Sequence, residues 1–255
     1  MSIELLSNAY QDDQVKRDQI LEAVDSSPII WENGGVNIVR ISVNAVVKYG
    51  YDVKLWEARN MIFVAQNTTI RLPQVFDAWV EYGDGNLDDE TSMCFIVMSY
   101  IDGLLLVEVW PKLCDARRDD IQQQLHHFLR ELRQTESEHP GPVGGGVCQG
   151  TFVTENGAGP FTSKEEMEAW FDERLAVCRE FRVADRSQSD FRGSFPRLVV
   201  CHMDLHERNI ILDCHGKAWL IDWTYTGMDP AYFETAAISR HGREQYLAGL
   251  LDLLG

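Results

Sequence analysis

Residues 200–212 read VCHMDLHERNIIL, and this segment gives the strongest indication of the fold. It joins two apolar runs through a polar loop that contains the carboxylate of Asp204 and, five residues later, the amide of Asn209. A further, largely apolar run, 217–221, ends at a second carboxylate, Asp222, thirteen residues after Asn209. Two short apolar runs separated by a polar turn are typical of a β-hairpin. We therefore expect the hairpin to place Asp222 beside the loop of Asp204 and Asn209.

The loop follows the pattern H-x-D-x-x-x-x-N of kinase catalytic loops, from His202 to Asn209. Phosphoryl transfer requires a protein mainly to position the reactants and to stabilise charge. Asp204 is suited to accept or orient the hydroxyl proton of an acceptor. The amide oxygen of Asn209 can bind a metal without adding another full charge, and Asp222 suits Mg²⁺, which binds a few hard oxygens and shares the ATP phosphates. The pattern predicts Asp204 as the catalytic residue and Asn209 and Asp222 as metal ligands.

These motifs resemble the aminoglycoside phosphotransferase and choline-kinase-like family. That family shows H-G-D-L-H-x-x-N-I-L, then I-D-W, and often an aromatic-Glu element after a proline. The present chain reads HMDLHERNIIL, then LIDW, then PAYFE at 230–234. Met203 therefore stands where the family has glycine, and the glycine-rich segment is reduced to Asn33-Gly34-Gly35. The resemblance extends from about Val36 to Glu234.

The resemblance implies an α+β, bilobal protein-kinase-like fold. Residues 1–101 would form a small β-rich nucleotide-binding lobe, and residues 102–255 a larger, mostly helical lobe for catalysis and acceptor binding. The implied function is ATP- and Mg²⁺-dependent transfer of the γ-phosphate to a hydroxyl or amine of a small molecule. A small-molecule acceptor is expected because no A-P-E element or activation segment lies between Asp222 and Pro230. The sequence identifies neither the acceptor nor the oligomeric state.

The N-terminal half contains the expected nucleotide-binding residues. Lys48 lies in a β-rich run, as would a lysine that pairs with the α- and β-phosphates. Glu57 follows nine residues later in a helical segment and would hold Lys48 through an ion pair. Residues 95–101 resemble the strand-to-hinge segment of the family. The other cofactor-binding candidates are the backbone of Ser99, Tyr100 and Ile101, which would bind adenine, and the apolar walls Val47 and Met98.

The spacing of apolar residues predicts the remaining elements. Predicted helices are 13–24, 54–66, two within 104–134, 163–183 and the segment from Pro230; predicted strands are 36–41, 45–49, 75–80, 94–100, 198–201, 210–213 and 217–221. Residues 139–159 are rich in glycine and proline and are predicted to be a loop. The acidic residues of helix 163–183 are predicted to form a solvated face, namely Glu165, Glu166, Glu168, Asp172 and Glu173.

Composition narrows the class of protein. The 255 residues are 45% hydrophobic and 25% charged, which is typical of a globular protein. The net charge of −17 and the lack of a Lys/Arg cluster argue against a nucleic-acid partner. No run approaches the roughly 20 apolar residues that span a bilayer, and nothing at the N-terminus resembles a signal peptide. Six scattered cysteines without a C-x-x-C pair favour a reducing, cytoplasmic setting.

Two alternative functions remain open at the sequence level. In a metallohydrolase, His202, Asp204 and His206 would face one metal from an extended strand, because their spacing has a period of two. In a kinase-like scaffold, or an enzyme repurposed for other acid–base chemistry, the same pocket would no longer transfer phosphate. The first alternative leaves four residues unexplained, namely Lys48, Glu57, Asn209 and Asp222. The reduced glycine-rich segment favours the second alternative, whereas the intact set of candidate residues argues against it, namely Lys48, Asp204, Asn209 and Asp222.

Overall fold

The computed structural model of the chain describes residues 10–82 and 92–241. These residues form two compact units. The first contains 10–55, 75–82 and 92–100, and the second contains 56–74 and 101–241. The sequence predicts a boundary after residue 101. In the structure the second unit resumes at Ile101, and it also includes residues 56–74, which contain most of the predicted helix 54–66.

The first unit is a helix with a five-stranded antiparallel sheet. Its elements are α1 (Tyr10–Ser26), β1 (Ile29–Asn33), β2 (Val36–Arg40), β3 (Ala45–Gly50), β4 (Val75–Tyr82) and β5 (Ser92–Ser99). The strand order is β1-β2-β3-β5-β4. Gly50 is required where β3 ends, because it has a φ of +146° and a Cβ there would lie 1.9 Å from the Gly35 carbonyl oxygen.

One face of this sheet forms the core of the first unit. Alternate strand residues face opposite sides, so Val39, Val47 and Val97, which are paired across β2, β3 and β5, lie on one face. They pack with Trp79 and Phe95 and with apolar residues of α1. Arg17 of α1 forms an ion pair with Asp77 at 2.9 Å and lies over the Trp79 ring. Helix α1 therefore covers the Val47 face of the sheet.

The second unit is mostly helical, with two three-stranded sheets. Its elements are α2 (Leu55–Asn67), β6 (Gly103–Leu105), α3 (Leu106–Val109), a 3₁₀ turn (Trp110–Lys112), α4 (Asp115–Leu132), β7 (Glu136–Ser137), α5 (Lys164–Glu180), β8 (Leu198–Cys201), a 3₁₀ turn (Glu207–Asn209), β9 (Ile210–Asp213), β10 (Ala218–Leu220), β11 (Gly227–Pro230) and α6 (Ala231–His241). The sheets have the orders β10-β9-β6 and β11-β8-β7. In the described part of the chain no helix is both long enough and apolar enough to cross a bilayer.

An aromatic cluster packs against β8 and forms a core of the second unit. Phe171, Phe195 and Phe233 contact one another edge to face, with ring centroids 5.4–5.8 Å apart. Edge-to-face geometry suits the quadrupoles of aromatic rings. Cys201 and Met203, at the end of β8 and just after it, are buried in the same cluster. The packing of this core therefore continues directly into the loop that contains Asp204.

Most predicted elements are confirmed, with ends within three residues of those predicted. Four strands were not predicted. One of them, β7, has only two residues, which is too short to give an apolar pattern. β1 reads Ile-Ile-Trp-Glu-Asn, which lacks the alternation of apolar and polar residues that marks a half-buried strand, and it is exposed along its whole length. β6 begins at a Gly103 that looked like a turn, and β11 contains both glycine and proline, which are rare in strands.

The prediction of a solvated acidic face on α5 is wrong for Glu168. This side chain is only 4% exposed and accepts hydrogen bonds from the amides of Gly193 and Phe195, each at 2.8 Å. One turn on, Asp172 accepts from the Phe191 amide. The amphipathic pattern could not reveal this, because the donors belong to a loop about 25 residues away. Glu168 therefore fixes the loop that enters β8.

Replacing Glu168 by alanine should lower the free energy of unfolding by about 2–4 kcal/mol, because two amides would lose their acceptor in a buried site. Urea unfolding of the variant measures this loss. Glu173→Ala is the matched control, since Glu173 lies on the same helix with its side chain 72% exposed, and it should unfold like the wild type. Coincident curves for Glu168→Ala and the wild type would contradict the assigned role.

Candidate active site

The loop after β8 is short and held by its own side chains. It leaves the strand at Cys201 and enters β9 through the 3₁₀ turn Glu207–Asn209. The Nδ1 of His206 accepts a hydrogen bond from the Arg208 amide at 3.2 Å, which caps this turn. His206 is buried and acts here as a capping residue.

Asn209 binds both the main chain and the side chain of Asp204. Its Nδ2 lies 2.9 Å from the Asp204 carbonyl oxygen and 2.7 Å from Asp204 Oδ2. Because the amide nitrogen donates both bonds, the oxygen end of the Asn209 side chain remains to accept a hydrogen bond or to bind a cation. The structure thus brings together Asp204 and Asn209, two of the three residues predicted for catalysis and metal binding.

The third residue, Asp222, follows β10 directly. The Ile221 amide donates to the Asn209 carbonyl oxygen at 3.0 Å, so the residue before Asp222 is fixed against the catalytic loop. Asp222 has a φ of +62°, in the left-handed region that residues other than glycine rarely adopt. Its Oδ1 lies 2.9 Å from the Thr224 hydroxyl. The predicted hairpin therefore delivers Asp222 beside the loop of Asp204 and Asn209.

A buried carboxylate holds the first residues of the catalytic loop. Glu234 of α6 is 2% exposed, and its Oε2 accepts hydrogen bonds from the amides of His202 and Met203 at 2.5 and 3.2 Å. Burial raises the pKa of Glu234, whereas nearby His202, the two amides and Arg133 act in the opposite direction. Glu234 was noted in the sequence only as the end of PAYFE, and its contact with the loop explains why an acidic residue is needed there.

The backbone conformation at Met203 explains why related loops have glycine at this position. It has a φ of +68°, a conformation that costs a residue with a Cβ roughly 1–2 kcal/mol. Glycine adopts it without this cost. Here the methionine side chain is buried in the aromatic cluster with Phe171 and Phe233, and burial of a methionine contributes about 1.5–3 kcal/mol. Packing therefore offsets the backbone strain beside Asp204.

The geometry contradicts the metallohydrolase alternative. His202 lies beyond the end of β8, so residues 202–206 do not form the extended strand that this alternative needs. The His202 ring is fully buried against Trp223, with Nδ1 accepting from the Asp204 amide and Nε2 3.2 Å from the Ile221 carbonyl oxygen. Across 10–82 and 92–241, no group of three or more His, Cys, Asp or Glu side chains is arranged to hold a metal.

Helix α2 binds the segment that follows Asp222. Glu57 is buried and accepts from the Trp223 amide at 3.3 Å and lies 2.9 Å from the Thr224 hydroxyl. One turn on, Asn60 donates to the carbonyl oxygens of Trp223 and Thr226. The expected ion pair between Glu57 and Lys48 stays a prediction. Asn60 and Thr224 were not singled out from the sequence, and the only signal was polar residues one turn apart on an otherwise apolar helix face.

In the first unit, Lys48 is 6% exposed on β3, between Ile38 and Ile96 of the neighbouring strands. Val46 and Met98 are paired with each other on the same face of the sheet. Val47, predicted as a wall of the nucleotide site, lies on the opposite face and packs with α1, because alternate strand residues point to opposite sides. Val46 therefore replaces Val47 among the candidate walls.

The backbone from Ser99 to Ile101, predicted to bind adenine, is already partly hydrogen-bonded within the first unit. Ser99 is paired with Ala45 at the end of β5. The Tyr100 amide donates to the Asn44 carbonyl oxygen at 2.9 Å, and Arg40 lies over the Tyr100 ring. This amide is therefore already used within the first unit, and adenine binding by this segment would have to use other backbone groups from Ser99 to Ile101.

Asp229 should make the stability of the protein depend on pH. Burial, together with the charge of Glu234, raises the pKa of Asp229 from its ordinary value of 3.8 to about 7. Between these values the unfolded chain releases a proton that the folded chain keeps, so stability falls as pH rises from about 4 to 7. Asp229→Asn should reduce the difference in unfolding free energy between pH 5 and pH 8.

Urea unfolding at the two pH values measures this difference. Glu155→Gln, which changes an exposed carboxylate of the same unit, is the control and should keep the wild-type pH dependence. A pH dependence that is unchanged, or steeper, in Asp229→Asn would show that Asp229 is ionised at neutral pH.

Comparison with known proteins identifies the family. The profile of the phosphotransferase enzyme family (APH) matches residues 50–255. A comparison with curated protein sequences finds no match.

Three of the solved structures that are similar to this chain are aminoglycoside phosphotransferases. Aminoglycoside phosphotransferase APH(4)-Ia has a TM-score of 0.58 at 12% identity, with 96% of this chain and 82% of that chain covered. The GDP complex of aminoglycoside 2'-phosphotransferase-IIIa has a TM-score of 0.57 at 13% identity, with 95% and 83% covered. The streptomycin–ATP complex of APH(2'')-IIa has a TM-score of 0.52 at 12% identity, with 93% and 82% covered. The fold is thus the protein-kinase-like fold of these enzymes, and the chain belongs to the phosphotransferase enzyme family.

Proposed function

We propose that this phosphotransferase uses Mg-ATP to phosphorylate a hydroxyl or amine of a small molecule. The observation that carries the proposal is the pair of hydrogen bonds from Asn209 to Asp204, next to the hairpin end that delivers Asp222. This arrangement joins a carboxylate fixed in one orientation to two further hard oxygen donors. Phosphoryl transfer needs such positioning more than it needs covalent chemistry.

Asp204 is the proposed catalytic residue. Asn209 holds one of its carboxylate oxygens, and the His202 ring accepts its amide hydrogen, so both the side chain and the backbone are fixed. In the reaction, an acceptor hydroxyl donates its proton to the Asp204 carboxylate or is oriented by it. The acceptor oxygen then forms a bond to the γ-phosphorus as the bond to the β–γ bridging oxygen breaks, and ADP leaves with that oxygen.

Asn209 and Asp222 are the proposed ligands for Mg²⁺. The donor atoms of these two residues fit this ion. The amide nitrogen of Asn209 donates to Asp204, which leaves the amide oxygen of Asn209 to bind the metal, and Asp222 supplies a carboxylate. When bound, Mg²⁺ would neutralise charge on the phosphates and help to orient them. Two protein ligands are typical, since Mg²⁺ keeps waters and shares substrate phosphates.

Lys48 is the proposed phosphate-binding cation, with Val46 and Met98 as apolar neighbours on its face of the sheet. ATP as the donor is supported by the family and by a structural neighbour solved with ATP and streptomycin. A second neighbour was solved with GDP, so the choice between ATP and GTP is part of the test. All six cysteines are free thiols, which agrees with the cytoplasmic location that we propose.

A metabolite-library screen for ADP release tests the proposed function. Small molecules that contain hydroxyls or amines are incubated with the protein, ATP and Mg²⁺, and mass spectrometry of each hit looks for a product heavier by one phosphoryl group. GTP is tested in parallel. We expect at least one phosphorylated product whose formation stops when EDTA is added. Nucleotide binding without any phosphorylated product across the library would support the scaffold alternative instead.

Asp204→Asn should lower kcat by a factor on the order of 10² to 10⁴, because the substituted amide cannot accept the acceptor proton. The Kd for Mg-ATP should change little, because the proposed metal ligands are Asn209 and Asp222. Steady-state kinetics with an identified acceptor and a nucleotide titration measure the two effects. Asp119→Asn, at an exposed position of α4, is the control and should match the wild type in both. Wild-type kcat in Asp204→Asn would rule out the proposed role.

A further inference from the structure

The Thr224 hydroxyl lies between two carboxylates. Its Oγ1 is 2.9 Å from Asp222 Oδ1 and 2.9 Å from Glu57 Oε2. A hydroxyl has one hydrogen, so it can donate a full hydrogen bond to only one carboxylate at a time. The two acceptors belong to a proposed metal ligand and to the buried glutamate of α2. Thr224 thus connects Asp222, the predicted metal ligand, to Glu57, the predicted partner of Lys48.

The main chain of Thr224 is also bound to α2. Its carbonyl oxygen accepts a hydrogen bond from the Trp56 indole at 3.2 Å. The preceding amide, that of Trp223, donates to the other carboxylate oxygen of Glu57. Both the side chain and the backbone of Thr224 are therefore held by one turn of a helix. A hydroxyl held this firmly can fix the orientation of the carboxylate to which it donates.

An orienting contact matters for a side chain in the position of Asp222. Its backbone lies in the left-handed region, with a φ of +62°, and its side chain is only partly buried. Packing alone therefore constrains the carboxylate less than it would constrain a fully buried side chain. A charge-assisted hydrogen bond is stronger than a neutral one and has a defined direction. The contact from Thr224 supplies that direction at Oδ1.

We propose that the Thr224 hydroxyl is a positioning group that fixes the Asp222 carboxylate in its cation-binding orientation and links it to Glu57. The proposal rests on the proposed function, because that function assigns the cation to Asp222. Thr224 itself contacts neither nucleotide nor acceptor in this scheme. Because the Thr224 hydroxyl lies within hydrogen-bond distance of both carboxylates, it ties the orientation of Asp222 to the buried glutamate of α2.

Two substitutions separate the hydroxyl from the packing of the side chain. Thr224→Val keeps the β-branched shape and removes the hydroxyl. Thr224→Ser keeps the hydroxyl and removes the methyl group. If the hydroxyl positions Asp222, the valine variant is impaired and the serine variant is close to the wild type. If Thr224 only fills space, the order of the two variants is reversed.

The test measures Mn²⁺ binding to the full chain by electron paramagnetic resonance, with and without ADP. In Thr224→Val the Kd for Mn²⁺ in the presence of ADP should rise roughly tenfold, which corresponds to about 1.4 kcal/mol. Thr224→Ser should restore most of the wild-type affinity. Thr68→Val is the matched control, because the Thr68 hydroxyl bonds only to main-chain groups of its own segment among the contacts described, and it should bind Mn²⁺ as the wild type does.

Kinetics with an identified acceptor give a second readout. The rate of Thr224→Val should fall at low Mg²⁺ and recover as Mg²⁺ is raised, so the concentration of Mg²⁺ at half-maximal rate increases more than kcat decreases. A loss of packing would lower kcat at every concentration of Mg²⁺. Thermal unfolding without ligands shows whether each variant is folded, and Thr224→Ala replaces Thr224→Val if the valine variant is not.

The outcomes distinguish a failure of the proposed metal site from a failure of the proposed role of Thr224. If the wild type shows no ADP-dependent Mn²⁺ binding, the metal assignment of the proposed function fails and this inference fails with it. If the wild type binds Mn²⁺ in the presence of ADP and the hydroxyl-free variant binds it as tightly as the wild type does, the inference fails while the proposed function stands. An equal loss in Thr224→Ser and Thr224→Val would also overturn it, because the hydroxyl would then make no difference.

Discussion

A carboxylate buried without partners is unstable, and Glu234 is stabilised by accepting the amides of His202 and Met203. This contact determines the direction in which the chain leaves β8. It supports the left-handed conformation of Met203, and the turn at Met203 sets the position of Asp204. Cys201 and Met203, on either side of His202, also pack in the aromatic cluster. The position of the proposed catalytic carboxylate therefore depends on a buried acidic residue about thirty positions later in the sequence.

A second set of buried polar contacts fixes the proposed metal site. Helix α2 presents Trp56, Glu57 and Asn60 to the segment that follows Asp222, and each makes a hydrogen bond to its backbone. These contacts replace regular secondary structure over 221–226, where the backbone has no strand partner of its own. Asp222 can then adopt a positive φ, because the residues after it are held from outside. Strain of this kind persists only where the surrounding structure over-determines the conformation.

Local sequence patterns were sufficient for much of the fold and for the loop residues of the site. Asp204 and Asn209 are five residues apart, so a single turn must bring them together, and the hairpin before Asp222 follows from two apolar runs. Contacts between distant segments were not accessible in this way. The partners of Glu168 and Asn60 lie far along the chain, and Glu234 was known only as the end of a motif. Val47 was misplaced by one residue, and in a strand a shift of one residue changes the face.

Binding of Mg-ATP is the most direct test, because Asp204, Asn209, Asp222 and Lys48 are all interpreted through it. The measurement is the unfolding free energy of the wild type and of Asp222→Ala with ATP, in the presence and absence of Mg²⁺. For the wild type, we predict a gain of roughly 2.7 kcal/mol when Mg-ATP is present at 100 times its Kd. The part of that gain that requires Mg²⁺ should disappear in Asp222→Ala. No stabilisation of the wild type by ATP at any concentration of Mg²⁺ would contradict the assignment of this site to phosphoryl transfer.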